Sequence, residues 1–268
     1  MQRFVTGLVM IVALIGLLYI GGWFFALAIL AVYAVAIHEE LHALALIHSP
    51  VRWAPFVALL AGAPLAYFFS YSTIIPILVI LSFAILLQVI RRKNPDLVDV
   101  MVSVLPILTL VLPAICFFGI LQTTLPLMQL YFLILLFAIA VGSDTCAYFV
   151  GTRIGGQKLC PNISPKKTIS GAIGGLLGSI VFSFLACWIF SLLSPELPLP
   201  PLWGSILVGF FGGIAGQMGD LFASMVKRHC NVKDFGHLFP GHGGMLDRLD
   251  SISFVAIIVY SYRIILFS

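Results

Sequence analysis

A chain of 268 residues that is 61% hydrophobic and only 9% charged, with a mean hydropathy of +1.15, is excluded from the water-soluble class, in which about one quarter of residues carry charge. Its net charge of +4 sits in short loops between apolar stretches, which reports membrane orientation and gives no reason to expect nucleic acid as a partner. Five cysteines, an odd number without a C-x-x-C pair, exclude a disulfide framework and a zinc knuckle.

Apolar stretches of the length that spans a bilayer, roughly 17 to 25 residues, run over 4–21, 23–47, 54–69, 72–90, 98–120, 126–150, 171–193, 202–223 and 251–267. The expected fold is an all-α polytopic membrane protein of about nine transmembrane helices. The first stretch follows Arg3 but lacks a small-residue cleavage site and precedes further spans, so it is expected to be a retained helix. The second and sixth run on into polar residues and should extend into the aqueous side. We expect one integral membrane unit with two regions, a scaffold over 1–125 and a catalytic region over 126–268 that carries a polar run at 224–250.

Lys and Arg in short loops are retained on the cytoplasmic side. With nine spans and a cytoplasmic amino terminus, the even-numbered loops hold Arg52; Arg91, Arg92 and Lys93; Arg153, Lys158, Lys166 and Lys167; and Lys227, Arg228, Lys233 and Arg248. The odd-numbered connections, Gly21-Gly22, Ser70-Tyr71-Ser72, Gln122-Thr123-Thr124 and Ser194-Pro195-Glu196-Leu197-Pro198, hold neither residue. Both large polar loops are thus expected to face the cytoplasm, where nucleotides and metal ions are available, and the compact chain suggests a bacterial inner membrane.

Gly171, Gly174, Gly175 and Gly178, and again Gly209, Gly212, Gly213 and Gly216, form overlapping small-xxx-small pairs, whose expected role is close helix packing. Gly151, Gly155 and Gly156 fall in the loop after the sixth stretch and could admit a phosphate, although the spacing matches neither a P-loop nor a dinucleotide fingerprint. Lys167-Thr168 resembles a P-loop ending without its preceding glycines.

The carboxylates number ten. Asp96 and Asp99 read as a solvated helix start, and Glu196 as part of an outside turn. Asp144 and Asp220 differ, because each ends an apolar span where an unpaired carboxylate costs about 2.5 to 3.5 kcal/mol at mid-membrane. Asp144, Asp220 and Asp247 all fall near cytoplasmic ends, so a shared pocket is expected. The run 224–250 holds four of the 14 Lys and Arg and three of the six His. Hard oxygens suit Mg²⁺ that keeps phosphate ligands, and Lys or Arg neutralise the remaining phosphate charge.

The run Ser224-x-x-Lys227-Arg228, Lys233-Asp234, Pro240-Gly241-His242-Gly243-Gly244, Asp247-Arg248, Asp250 resembles the signature of the CDP-diacylglycerol synthases, or phosphatidate cytidylyltransferases. Ser143-Asp144-x-x-Ala147-Tyr148-x-x-Gly151 and Ile163-Ser164-Pro165-Lys166-Lys167-Thr168 are similar to the same family, so the resemblance covers roughly 142–255. It departs at Ser170, where the family usually has Glu. The resemblance implies that CTP and phosphatidate give CDP-diacylglycerol and pyrophosphate, with Mg²⁺ and an optional second cation. Expected metal ligands are Asp220 and Asp247, then Asp144 and Asp250. Lys227, Arg228, Lys233, His242 and Arg248 are expected at the reacting phosphates, with Ser164, Lys166, Lys167, Gly243 and Gly244 at the nucleotide. Expected partners are CTP, phosphatidate and the bilayer, with a homodimer admissible.

Competing readings come from other classes. His38-Glu39-Glu40-Leu41-His42 is H-E-x-x-H, a pattern that places two imidazoles and a general base for zinc on a helix and would suggest an intramembrane metalloprotease. The plainer reading of that segment is a polar helix end at the cytoplasmic surface. A CTP-dependent lipid kinase would need a similar site, whereas a transporter would place charges along one path at mid-membrane.

Overall fold

The computed structural model describes residues 2–68, 74–123, 125–239, 241 and 243–267. The expected connection Ser70-Tyr71-Ser72 lies outside the described residues, as do Thr124, Pro240 and His242. Helix makes up 78% of the structure. In chain order the elements are α1 (Gln2–Ile20), α2 (Gly22–Leu44), α3 (Trp53–Phe68), α4 (Ile74–Ile90), α5 (Leu97–Pro106), a π-helical turn (Ile107–Val111), α6 (Leu112–Leu121), α7 (Pro126–Ile154), β1 (Lys158–Cys160), β2 (Ser164–Thr168), α8 (Ile169–Leu193), α9 (Leu202–His229) and α10 (Leu246–Phe267). The chain is therefore nearly all-α, with one hairpin that the apolar pattern did not announce.

Each apolar stretch read from the sequence falls mainly on helix among the described residues. Among the described residues, six helical segments are long and apolar enough to cross a bilayer, namely α2, Leu97–Leu121, α7, α8, α9 and α10, against about nine expected. α3 and α4 are 16 and 17 residues long, at the short end for a crossing. The Leu97–Leu121 segment is not uniform. Pro106 has no backbone N–H to continue the ladder, and the π-helical turn begins immediately after it.

Two compact units divide the chain, and neither is continuous in sequence: Met1–Phe118 with Val226–Leu249, and Gly119–Met225 with Asp250–Ser268. In the first, Phe25, Tyr33, Ile37, Leu44, Leu59, Ile85 and Leu110 are buried. Asp96 begins α5 as its N-cap, its carboxylate accepting the Val98 N–H at 2.9 Å. Asp99, read from the sequence as solvated, is only 8% exposed. It accepts the Ser49 N–H at 2.9 Å and the Arg92 guanidinium at 2.6 Å, so a carboxylate read as a solvated helix start ties α5 to the segment after α2.

In the second unit the glycine pairs do what their spacing implies. A Cβ on Gly175 would lie 2.9 Å from the Ser143 carbonyl oxygen, and one on Gly178 would lie 2.5 Å from the Cys146 Cβ, so α8 rests against α7. A Cβ on Gly209 would meet the Ile180 Cα and the Ser179 carbonyl oxygen, both at 2.8 Å. Backbone cannot step aside as a flexible side chain can. Gly209→Leu is therefore expected to destabilise the protein by about 3 kcal/mol, the upper end of ordinary overpacking, and thermal unfolding in detergent will register it. Gly16→Ala, where nothing lies within 4 Å of the added methyl, should leave the transition unchanged. All five cysteines are free.

Candidate active site

The second unit contains a cavity of about 570 Å³ lined by residues that include Asp144, Tyr148, Lys166, Lys167, Gln217 and Asp220, a volume in the range of small-molecule sites. Its walls follow from how two helices end. Gly155 closes α7 with φ of 64° and returns its N–H to the Gly151 carbonyl at 3.1 Å, a left-handed position that suits glycine. Gly151 itself, expected in a loop, belongs to α7 and packs against Thr168 and Gly171; only Gly155 and Gly156 lie beyond the helix.

After those glycines, β1 and β2 form an antiparallel hairpin with Lys158 opposite Thr168 and Cys160 opposite Ser164. Thr168 then starts α8 as its N-cap, its hydroxyl oxygen accepting the Gly171 N–H at 3.1 Å. That placement accounts for the Lys-Thr pair without a P-loop. Ser170, at the position where the resemblance implied Glu, donates its hydroxyl to the Gly155 carbonyl and lies 3.1 Å from the Thr168 hydroxyl. It stitches the end of α7 to the start of α8.

The hairpin presents Lys166 and Lys167 to the cavity. Lys167 is ion-paired with Asp220 of α9, the two side chains being 28% and 30% exposed. Asp144 lies on the α7 face that also carries Ala147, Tyr148, Gly151 and Thr152 along the cavity, and the buried Ser251 hydroxyl approaches its carboxylate at 3.4 Å. Gln217, one turn before Asp220, donates to the Ala172 carbonyl at 3.0 Å and so ties α9 to α8. Ser164 begins β2 and is not among the residues lining this cavity. Asp250 is half-buried and accepts the Ser251 N–H at 2.8 Å.

Residues 226–249 of the signature run belong to the first unit, and less of the run is loop than the apolar stretches implied. α9 continues to His229 and α10 begins at Leu246, so Lys227 and Arg228 occupy the last turn of one helix and Asp247 and Arg248 the first turn of the other. Asp247 is buried, its side chain 5% exposed. One oxygen accepts the Lys227 ammonium at 2.7 Å, and the other accepts the Phe235 N–H at 3.0 Å and the Gly244 N–H at 2.9 Å. Lys227 also lies 5.4 Å above the centre of the Phe235 ring. Gly243, with φ of 81°, pairs back to Phe239 and lets the chain turn toward Asp247. Arg228, Lys233, His237 and Arg248 are exposed.

A carboxylate that the sequence offered only as the general base of the H-E-x-x-H pattern completes this arrangement. Glu39 of α2, 7% exposed, accepts the Met245 N–H at 3.0 Å and the Leu246 N–H at 2.8 Å. Its neighbour Glu40, 2% exposed, accepts the Thr109 hydroxyl of the π-helical turn at 3.0 Å. The available signal was two acidic residues in a helix with no Lys or Arg of its own, which demands partners from elsewhere in the chain.

His38 and His42 are exposed on α2 with ring centres 6.3 Å apart. Glu39, the general base a metalloprotease would need, already spends both oxygens on backbone amides. Burial, reinforced by the Glu40 carboxylate, pushes the Cys230 thiol above its ordinary range, the opposite of the shift that activates a cysteine. Among the described residues no three His, Cys, Asp or Glu side chains converge as a metal site.

A family model described as the cytidylyltransferase family matches residues 1–266 of the chain. Among curated proteins, a phosphatidate cytidylyltransferase of Bacillus subtilis (strain 168) is 45% identical over 126 residues, 47% of this chain and 44% of the relative. One of Synechocystis sp. is 41% identical over 133 residues, 50% and 43% of the two chains. One of Brucella suis is 39% identical over 130 residues, 48% and 46%. The chain thus spans about half the length of the curated relatives it matches.

Proposed function

The chain belongs to the cytidylyltransferase family, and from that membership and the geometry of its polar residues we propose that it transfers the cytidylyl group of CTP to phosphatidate, giving CDP-diacylglycerol and pyrophosphate. The observation that carries this reading is the cavity where Asp144, Asp220, Lys166 and Lys167 face one space at the ends of apolar helices. A phosphate oxygen of phosphatidate attacks the α-phosphorus of CTP in line. The bond from that phosphorus to the bridging oxygen breaks, and pyrophosphate leaves with the electron pair. No protein nucleophile is needed, so the protein's task is to bring two anions together and neutralise charge as it moves to the leaving group.

Lys166 and Lys167 suit the nucleotide phosphates, and Lys167 can exchange its pairing with Asp220 for a phosphate oxygen. Mg²⁺ fits the cavity's donors, because an ion that keeps substrate phosphates and waters needs only one or two carboxylates, and Asp144 and Asp220 supply two. When bound, it would polarise the phosphoryl oxygens and offset charge on pyrophosphate. Asp247, already holding three donors, is assigned to ordering the signature loop, and Asp250 stands behind Asp144 and Asp220 as a carboxylate for a second cation. Lys227, Arg228, Lys233, Arg248 and His242 are assigned to substrate phosphates, Gly243 and Gly244 to close backbone approach, and Ser164 to the nucleotide.

The same proposal includes a bacterial inner-membrane location with the amino terminus and polar loops cytoplasmic, about nine crossings, and room for a homodimer. Detergent-purified protein given CTP, Mg²⁺ and phosphatidate is expected to release pyrophosphate in step with CDP-diacylglycerol and to stop when EDTA is added. Release of CDP would identify a lipid kinase instead.

A further inference from the structure

Glu39 has no part in the chemistry above, yet it joins two distant segments of the first unit. It lies on α2, 206 residues before Met245, and is 7% exposed. One carboxylate oxygen accepts the Met245 N–H and the other the Leu246 N–H, at 3.0 and 2.8 Å. Those two residues close the signature loop and open α10. The first N–H groups of a helix have no partner within it and carry a partial positive charge, and here a carboxylate from a distant helix takes two of them. The loop is shaped for that approach at two places. A Cβ added to Gly236 or to Gly244 would overlap the Glu39 carboxylate, so both residues are glycine where the chain passes it.

Glu39 and Asp247 divide the donors of the loop's end. Asp247 takes the Gly244 N–H, together with those of Phe235 and the Lys227 ammonium, and Glu39 takes the next two amides along the chain. Glu40 faces a different element, the Thr109 hydroxyl. The two adjacent acids of α2 therefore do separate work.

We propose that Glu39 is a positioning residue for the transfer reaction: by accepting the Met245 and Leu246 amides it fixes the junction of the signature loop with α10, and with it the Lys227–Asp247 pair. This rests on the functional reading in which that loop binds substrate phosphates. Glu39 touches no substrate and acts through the backbone it holds. Glu39→Gln keeps the size of the side chain but replaces one acceptor with an NH₂ group that faces an N–H donor.

The expected result is a fall in kcat of about tenfold to a hundredfold, the scale of a small misplacement of reacting groups, with smaller changes in KM for CTP and phosphatidate. Hydrogen exchange should show lost protection at the Met245 and Leu246 amides, whereas Glu40→Gln leaves those amides protected. Glu39→Asp, which keeps the charge, should recover part of kcat. Wild-type kcat in Glu39→Gln, or a loss of kcat with both amides still protected, overturns the proposal. Should Glu39→Gln fail to fold, Gly236→Ala displaces the same carboxylate without removing a polar group; it must show the same paired losses, and full activity in it overturns the proposal equally. A wild-type protein that makes no CDP-diacylglycerol defeats the functional reading itself, a result distinct from an active wild type with an equally active Glu39→Gln.

Discussion

Asp220→Asn is expected to lower kcat by about a hundredfold or more, the scale of removing one preorganised electrostatic contact from a phosphoryl-type transition state, while thermal unfolding shifts by only a few degrees. The two outcomes separate because of where the residue sits. Asp220 and Lys167 are paired but partly exposed, at 30% and 28%, and such pairs contribute about 0 to 1 kcal/mol to stability. Asp220 also shares a cavity with Asp144 and Lys166, where its charge would hold a cation against substrate phosphates. Combining Asp220→Asn with Lys167→Gln should cost much less than the product of the single losses, since residues that act as a unit are non-additive. A near wild-type kcat for Asp220→Asn would remove this cavity from the reaction.

Asp247→Asn is expected to fail differently, losing activity and stability together. Its side chain is 5% exposed and its Lys227 partner 15%, and the same carboxylate holds the Phe235 and Gly244 amides. Removing the charge leaves a largely buried ammonium unpaired, at a cost of about 3 to 5 kcal/mol. For a chain of this size that corresponds to a fall in Tm of roughly 6 to 20 °C. Adding Lys227→Met to Asp247→Asn should restore much of the lost Tm, because it removes the orphaned charge, and should restore no activity. If Asp247→Asn instead abolishes activity with an unchanged Tm, Asp247 contacts metal or substrate rather than ordering the loop.

The apolar half of this architecture was open to reading because the bilayer acts as a simple solvent. Runs of Leu, Ile, Val and Phe are driven to helix in lipid, and among the described residues each such run falls mainly on helix. Small-xxx-small spacing carried its packing role for the same reason, as Gly175, Gly178 and Gly209 show. Cavity residues Asp144 and Asp220 were also legible, as charges whose placement at span ends demands a partner, and Lys167 through the resemblance of 163–168.

What the sequence hid lies at helix ends and in long-range pairing. Hydropathy marks where an apolar stretch stops, but α9 runs on through Lys227 and α10 starts before Asp247, because a polar residue may continue a helix once its partner is supplied. The hairpin over 158–168 has strands of three and five residues that carry Lys158, Lys166 and Lys167, too short and polar for periodicity to register. Asp99 and Glu39 looked like surface charge because the backbone amides they accept, those of Ser49, Met245 and Leu246, are distant in sequence. Pairing of that kind is a property of the fold and leaves no local pattern.

The central claim, cytidylyl transfer to phosphatidate, is tested most directly by the position of label in CTP. Purified protein supplied with phosphatidate, Mg²⁺ and CTP labelled at either the α- or the γ-phosphate should place α-label in the lipid product and γ-label in pyrophosphate. Label from the γ-phosphate in lipid, or α-label that remains in free CDP, would contradict it.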